Sequence, residues 1–240
     1  MRIITLLLLS FFLNACQQAF ELPFVPDTPP RLTLPQQIQT IPIAFDSVTI
    51  DMPTGVSYLA YPYWRWQYQH LNMSLWDACN AQLRYRLFDS TAQWEQDAKP
   101  FGEWQQHASS FVINALTEMG YHAVQKNTLD TPSKKPALLL KATITRMRGN
   151  MCHTTPIPLL QNGGQSAGDI FVHIRWQLYD ADSKRLINTF ETESIGYVEV
   201  PQTNGDELVI LSALKNAALY LGGQTEFADA IRFFQKNTKF

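Results

Sequence analysis

The chain is expected to fold as an α+β domain, a largely antiparallel sheet packed with two or three helices. Three observations predict this class. From residue 101 onward the elements run helix, strand, strand, strand, helix, so strands and helices segregate instead of alternating. Ile170, Val172, Ile174, Trp176 and Leu178 alternate with His173, Arg175 and Gln177, the period of a strand with one buried face. Trp104, Ala108, Phe111, Ala115 and Met119 recur at helical spacing and form one apolar stripe.

The elements follow in order. Residues 17–40 hold Pro23, Pro26, Pro29, Pro30 and Pro35 among polar residues, without helical or alternating pattern. Such a segment favours extended, semi-rigid chain of about 3.1 Å per residue and reads as a tether. Ile43, Phe45, Val48 and Ile50 suggest a first strand, ended near Met52-Pro53-Thr54-Gly55. The stretch 58–68 then carries six aromatic residues in eleven positions, with Pro62 placing it at a sheet edge or in a loop. Residues 74–88 suit a helix with Ser74 as N-cap and Leu75, Cys79, Leu83 and Leu87 four apart. A helix from Phe101 to Met119 ends at Gly120, a C′ glycine, and Tyr121–Val124 starts the next strand. A polar loop fills 125–136. Leu138, Leu140, Ala142 and Ile144 then alternate as a strand.

Asn150 to Gly168 has few apolar anchors and reads as a long loop. The strand Ile170 to Leu178 follows, turns at Asp180-Ala181-Asp182-Ser183-Lys184 and returns over 185–200. Asn204 or Asp206 is expected to cap a helix over about 206–221, stopped by Gly222-Gly223. Thr225 is expected to cap a last helix holding Phe227, Ile231 and Phe234. Residues 41–240 are thus expected to form a single α+β domain, with a subdivision near 95–100 left open.

The 240 residues are 45% apolar and 17% charged with a net charge of −2, so a core is available and no basic excess points to nucleic acid. At the N-terminus, Arg2 precedes the apolar run Leu6-Leu7-Leu8-Leu9-Ser10-Phe11-Phe12-Leu13, which ends in Asn14-Ala15-Cys16. These are the parts of a secretory signal peptide over residues 1–15, and the run is too short to span a ~30 Å hydrocarbon core. Leu13-Asn14-Ala15-Cys16 resembles the lipobox of bacterial lipoproteins. That resemblance implies cleavage before Cys16, lipid on its thiol and a mature N-terminus with a linker over 16–40. Gln17, where an inner-membrane retention signal would place Asp, implies the periplasmic face of the outer membrane. An ordinary cleaved signal with an incidental cysteine, or an uncleaved N-terminal helix, are the alternatives.

With Cys16 taken by lipid, Cys79 and Cys152 remain. An even pair in an exported protein reads most simply as a disulfide, against two separate buried thiols.

The C-terminal part resembles the small α+β domains of envelope lipoproteins related to the TolB N-terminal domain, among them ABC-transport auxiliary lipoproteins. The resemblance rests on the helix Phe111-Val112-Ile113-Asn114-Ala115-Leu116-Thr117-Glu118-Met119-Gly120-Tyr121, the strand Ile170 to Tyr179 and the helix Ala213-Leu214-Lys215-Asn216-Ala217-Ala218. It implies binding to another envelope protein and no catalysis.

Sites for chemistry are few. There is no Gly-x-Ser-x-Gly elbow, His-Glu-x-x-His pair or phosphate-binding glycine loop, so no catalytic residue, cofactor or metal is expected. Cys152-His153 is the sharpest adjacent pair, but a bonded Cys152 is no nucleophile. Glu191 and Glu193 share a strand face and read as solvated, as does His173. The candidate partner-binding residues are Tyr61, Tyr63, Trp64, Arg65 and Trp66, because Tyr and Trp dominate interface hot spots. The bland alternative is that these rings cover the sheet and fill the core. The function expected is a lipid-anchored, non-catalytic binding or assembly protein of the cell envelope. The alternatives are an envelope hydrolase with an unrecognised site, or a carrier of a small apolar ligand in a pocket under the 150–168 loop.

Overall fold

The computed structural model describes residues 20–25, 29–61, 90–95, 104–126, 138–153 and 165–237. The expected signal peptide, Cys16, the helix expected over 74–88 and residues 127–136 of the expected polar loop lie outside these residues.

The architecture is α+β. Among the described residues seven strands form one sheet: β1 (Ile43–Ile50), β2 (Ser57–Tyr61), β3 (Ser90–Gln93), β4 (Ala123–Gln125), β5 (Leu138–His153), β6 (Gln165–Asp180) and β7 (Leu186–Thr203). The described residues also form three helices, α1 (Trp104–Glu118), α2 (Gly205–Gly222) and α3 (Thr225–Asn237), and a single helical turn at Gln36–Gln39. Most of the pairing is the antiparallel meander β5–β6–β7. β1 joins β5 in parallel and β4 joins β1 in parallel, an addition that antiparallel reasoning did not anticipate. β2 meets β5 in parallel only at Leu59 and Ala60, and β3 pairs antiparallel with β2.

One face of the sheet carries the core. Ile170, Val172, Ile174, Trp176 and Leu178 are fully buried there, under Val209, Ile210, Ala213, Leu214 and Ala217 of α2. α1 packs beside α2 with Trp104, Ala108, Val112, Ala115 and Leu116 buried. The expected stripe holds at Trp104, Ala108, Ala115 and Met119; Phe111 is only partly buried. The helix leaves through Gly120 at φ +91°, with Gly120 N–H donating to Thr117 and Tyr121 N–H to Leu116. That left-handed exit is cheap only for glycine. α3 buries Phe227, Ile231 and Phe234 as expected, and Phe227 meets Phe190 and Tyr121 edge-on or tilted at 5.3 and 5.1 Å.

Two β-bulges set the parity of the long strands. In β1 the pairing jumps from Phe45 to Ser47, leaving Asp46 as the extra residue. Ile43 and Phe45 face the core before it and Val48 after it, although their numbers differ in parity. In β5 the jump from Ile144 to Arg146 leaves Thr145 as the extra residue. Leu138, Leu140, Ala142 and Ile144 are buried before it, and Met147 and Met151 after it. A bulge inserts one residue and so moves every later side chain to the other face.

Several expectations change. The loop expected over 150–168 shrinks, because β5 runs on to His153 and β6 already begins at Gln165. Asn204 sits before α2 as expected, but in the left-handed conformation (φ 62°) and without a side-chain cap. The strand expected over 121–124 is β4, two residues later. The chain also joins the core before residue 41, where the domain was expected to begin. Leu34, Ile38 and Ile41 are buried, and the Gln36–Gln39 turn rests on α3.

The bulge residue Asp46 gives a pH-dependent contribution. Burial alone would raise its pKa, but a hydrogen bond from Lys126 and the Lys141 ammonium 3.5 Å away outweigh it and hold the carboxyl below its ordinary 3.8. A depressed folded-state pKa contributes stability above the unfolded value that fades as pH falls through the folded one. Asp46→Asn is therefore expected to be less stable than wild type at neutral pH, with the difference closing below pH 3.8. Denaturant titrations across pH check this; a difference that persists at low pH would refute it.

Candidate functional site

A concave feature lies along the edge of β5 where β1 and β2 part, and the sequence explains its position. β1 ends where Asp51 N–H donates to the Ile144 carbonyl. Met52-Pro53-Thr54-Gly55-Val56 then swings away, since Pro53 cannot donate to a ladder and Gly55 takes φ +85°. The chain returns as β2 opposite Gly149 and Asn150. Between these points the Thr145–Arg148 edge of β5 has no strand beside it among the described residues. The gap is roofed by the N-terminal segment, producing a cavity of about 510 Å³. Its wall is Leu22 and Pro23 from that segment, Met52, Pro53 and Val56 from the loop, and Met147 and Phe171 from the sheet. Glu21, Thr145, Arg146 and Arg148 complete it.

The segment is held by an asparagine. Asn150 is fully buried. Its Oδ1 accepts from Phe20 N–H at 2.9 Å, and its Nδ2 donates to the Phe20 carbonyl at 3.1 Å and to Asp169 Oδ1 at 2.9 Å. A side-chain amide can read a peptide unit this way because it carries both a donor and an acceptor. Farther along, Val25 and Pro29 lie by Ile195 and Tyr197 of β7 and by Asn216 and Leu219 of α2. The Pro30 carbonyl passes against Gly223. Within the stretch expected as a free spacer, residues 20–25 therefore lie as a strap beside β5, and Val25 and Pro29 lie near the β7 edge.

The cavity mouth is cationic on one side. Arg146 and Arg148 are two apart on β5 after the bulge, and so point to the same face. Arg146 donates to Glu193 Oε1 at 2.7 Å and stands over the Phe171 ring at 5.9 Å. Arg148 lies over the Phe20 ring at 5.8 Å and has no carboxylate partner among the described residues. Glu21 is exposed on the strap side. Beyond the cavity the face is laced by pairs across strands. His173 receives or shares a hydrogen bond with Thr145 Oγ1 at 2.7 Å and lies 3.6 Å from Glu191, which also meets Arg175 at 3.8 Å. Glu191 and Glu193 lie on a solvated face, as the sequence suggested, each beside an arginine, whereas His173, expected to be exposed there, is only 17% exposed.

The residues singled out in the sequence fare unevenly. Cys16, Cys79, Tyr63, Trp64, Arg65 and Trp66 lie outside the described residues. Tyr61 ends β2 opposite Ser90. The earlier part of that aromatic stretch belongs to the core: Tyr58 is buried against Trp94 in an edge-to-face pair at 5.7 Å, and Leu59 and Ala60 are buried beside it. Cys152 is buried on β5 opposite Ala167. Among the described residues no group of three His, Cys, Asp or Glu side chains is placed to hold a metal, and no helix is long and apolar enough to cross a membrane. Sequence reasoning missed the strap, Asn150 and the arginine pair. The pair's spacing on an alternating strand was the one available signal.

No protein-family model matches the chain, and no curated protein matches it in sequence. Solved structures are similar to it at low levels. A DUF330-family protein from Xanthomonas campestris is similar over 87% of this chain and 95% of its own, at 7% identity and a TM-score of 0.35. The PelC dodecamer from Paraburkholderia phytofirmans is similar over 82% and 93%, at 11% identity and 0.35. A candidate lipoprotein from Caulobacter crescentus is similar over 53% and 83%, at 11% identity and 0.29. Likeness at these values carries no argument about function.

Proposed function

We propose that the chain is a lipid-anchored binding protein of the bacterial cell envelope, attached through Cys16 to the periplasmic face of the outer membrane and without a catalytic role. The observation that carries this reading is the Leu13-Asn14-Ala15-Cys16 pattern placed four residues before the docked Phe20. Four residues of extended chain reach about 14 Å. A lipid on Cys16 would therefore hold the strapped face of the sheet close to the bilayer, not at the end of a long spacer. Confinement to that shell raises the effective concentration toward other envelope components. Tyr61, Tyr63, Trp64, Arg65 and Trp66 are the proposed contact for a protein partner, since Tyr and Trp supply large area with polar tips. A single acyl chain holds a protein only marginally, so a multiply acylated cysteine is what makes the anchor permanent.

Fractionation of cells expressing Cys16→Ser tests the anchor. The variant is expected to leave the membrane fraction, and unchanged membrane association would overturn the reading. The cavity supports a second reading, a carrier of an apolar ligand.

A further inference from the structure

We propose that the cavity between the strap, the Met52–Val56 loop and β5 binds a single-chain anionic amphiphile, its apolar chain inside and its acidic headgroup on Arg148 and Arg146. The proposal gives a ligand class to the binding role above but does not require the lipid anchor.

Four observations carry it. The first is size: about 510 Å³ falls within the roughly 300–1,000 Å³ of small-molecule sites. The second is the wall. Leu22, Pro23, Met52, Val56, Met147 and Phe171 offer aliphatic, thioether and aromatic surface, and Val56 is 40% exposed, large apolar area for a loop residue. An acyl chain would cover it.

The third is charge. Two guanidinium groups project on one side of the mouth. Glu193 engages Arg146 alone, and its exposed pair is easily exchanged, since such pairs contribute little. Arg148 lies over the Phe20 ring and has no carboxylate partner among the described residues. Glu21 is the one carboxylate in the lining, so the lining carries a net positive charge. A guanidinium fork suits a carboxylate or phosphate oxygen pair. An apolar interior with a cationic lip on one side matches an amphiphile, and neither a sugar nor a purely apolar molecule satisfies both halves. The fourth is the approach. Phe24, next to Pro23 on the strap, is 90% exposed, so the strap side presents apolar surface where a chain leaving a bilayer would enter.

The test uses the purified full chain carrying Cys16→Ser, so that no covalent lipid competes. Lysophosphatidylglycerol, zwitterionic lysophosphatidylcholine and an uncharged monoacylglycerol are titrated below their micelle concentrations by calorimetry. Saturable one-to-one binding of the anionic lipid is expected, about tenfold or more tighter than the uncharged one. Arg148→Gln is expected to remove about tenfold of that preference and Arg148→Lys to restore part of it, while Val56→Asp weakens all three. Both positions are exposed, so the variants fold. Absence of saturable binding, equal binding of the uncharged lipid, or an Arg148→Gln variant that binds like wild type would each overturn the proposal. Anchoring is read separately: membrane release of Cys16→Ser with no amphiphile binding refutes the ligand and leaves the anchor, and the converse does the opposite.

Discussion

Gly196→Ala is expected to cost the fold at least about 3 kcal/mol, the upper end of overpacking effects. Gly196 lies on β7 where α2 crosses closest. A β-carbon there would stand 2.0 Å from the Val209 carbonyl oxygen, 2.4 Å from Ala213 N and 2.9 Å from Ala213 Cβ. Two of those atoms are backbone and cannot rotate away, so the helix itself must lift. Lifting it would also break the bond by which the buried Ser194 hydroxyl donates to the Ala213 carbonyl at 2.6 Å. The helix axis is pinned from both sides, by a missing side chain at Gly196 and by a short hydrogen bond at Ser194. Denaturant unfolding of the variant checks this. A loss under about 1 kcal/mol would show that α2 does not sit this close.

Asn150→Leu is the second large effect expected. The substitution keeps the volume and removes three hydrogen bonds, two to the Phe20 peptide and one to Asp169. Each contributes about 0.5–1.5 kcal/mol, so a loss of about 2–4 kcal/mol is expected. The loss should be local as well as global. Without Asn150, nothing else described hydrogen-bonds the Phe20 backbone, and residues 20–25 should become susceptible to limited proteolysis while the β5–β7 meander stays intact. Uniform destabilisation with an unchanged cleavage pattern would mean that Asn150 serves the sheet and not the strap.

How much of this was legible in the sequence differs by element. Segments whose burial follows from local periodicity were readable. Ile170 to Leu178 shows the period of two, Trp104 to Met119 that of the helix, and Asp180 declares the turn whose Asp182 and Ser183 amides it binds. Where the period breaks, reading failed. The bulge at Thr145 shifts the inward positions of β5 from even to odd numbers, so the run after Ile144 looked like a strand ending. Asn150 and Cys152 then read as loop residues although they continue the ladder opposite Asp169 and Ala167. Asn150 in particular is buried for a reason no local pattern carries, a partner 130 residues away in sequence. The strap was invisible for the same reason. Its prolines give it no period, and Leu34 and Ile38 are buried by distant helices, not by an amphipathic neighbour. The cavity has no motif at all, because it arises from a gap in strand pairing.

Residues 20–25, just after Cys16, are part of the fold, so an anchor on Cys16 would fix the orientation of the sheet. Hydrogen exchange of the Phe20–Val25 peptide in the purified protein tests it most directly. The Phe20 amide, held at 2.9 Å by Asn150, is expected to exchange far more slowly than in an unstructured peptide and to lose that protection in Asn150→Leu. Exchange at the unstructured rate in the wild-type protein would contradict it.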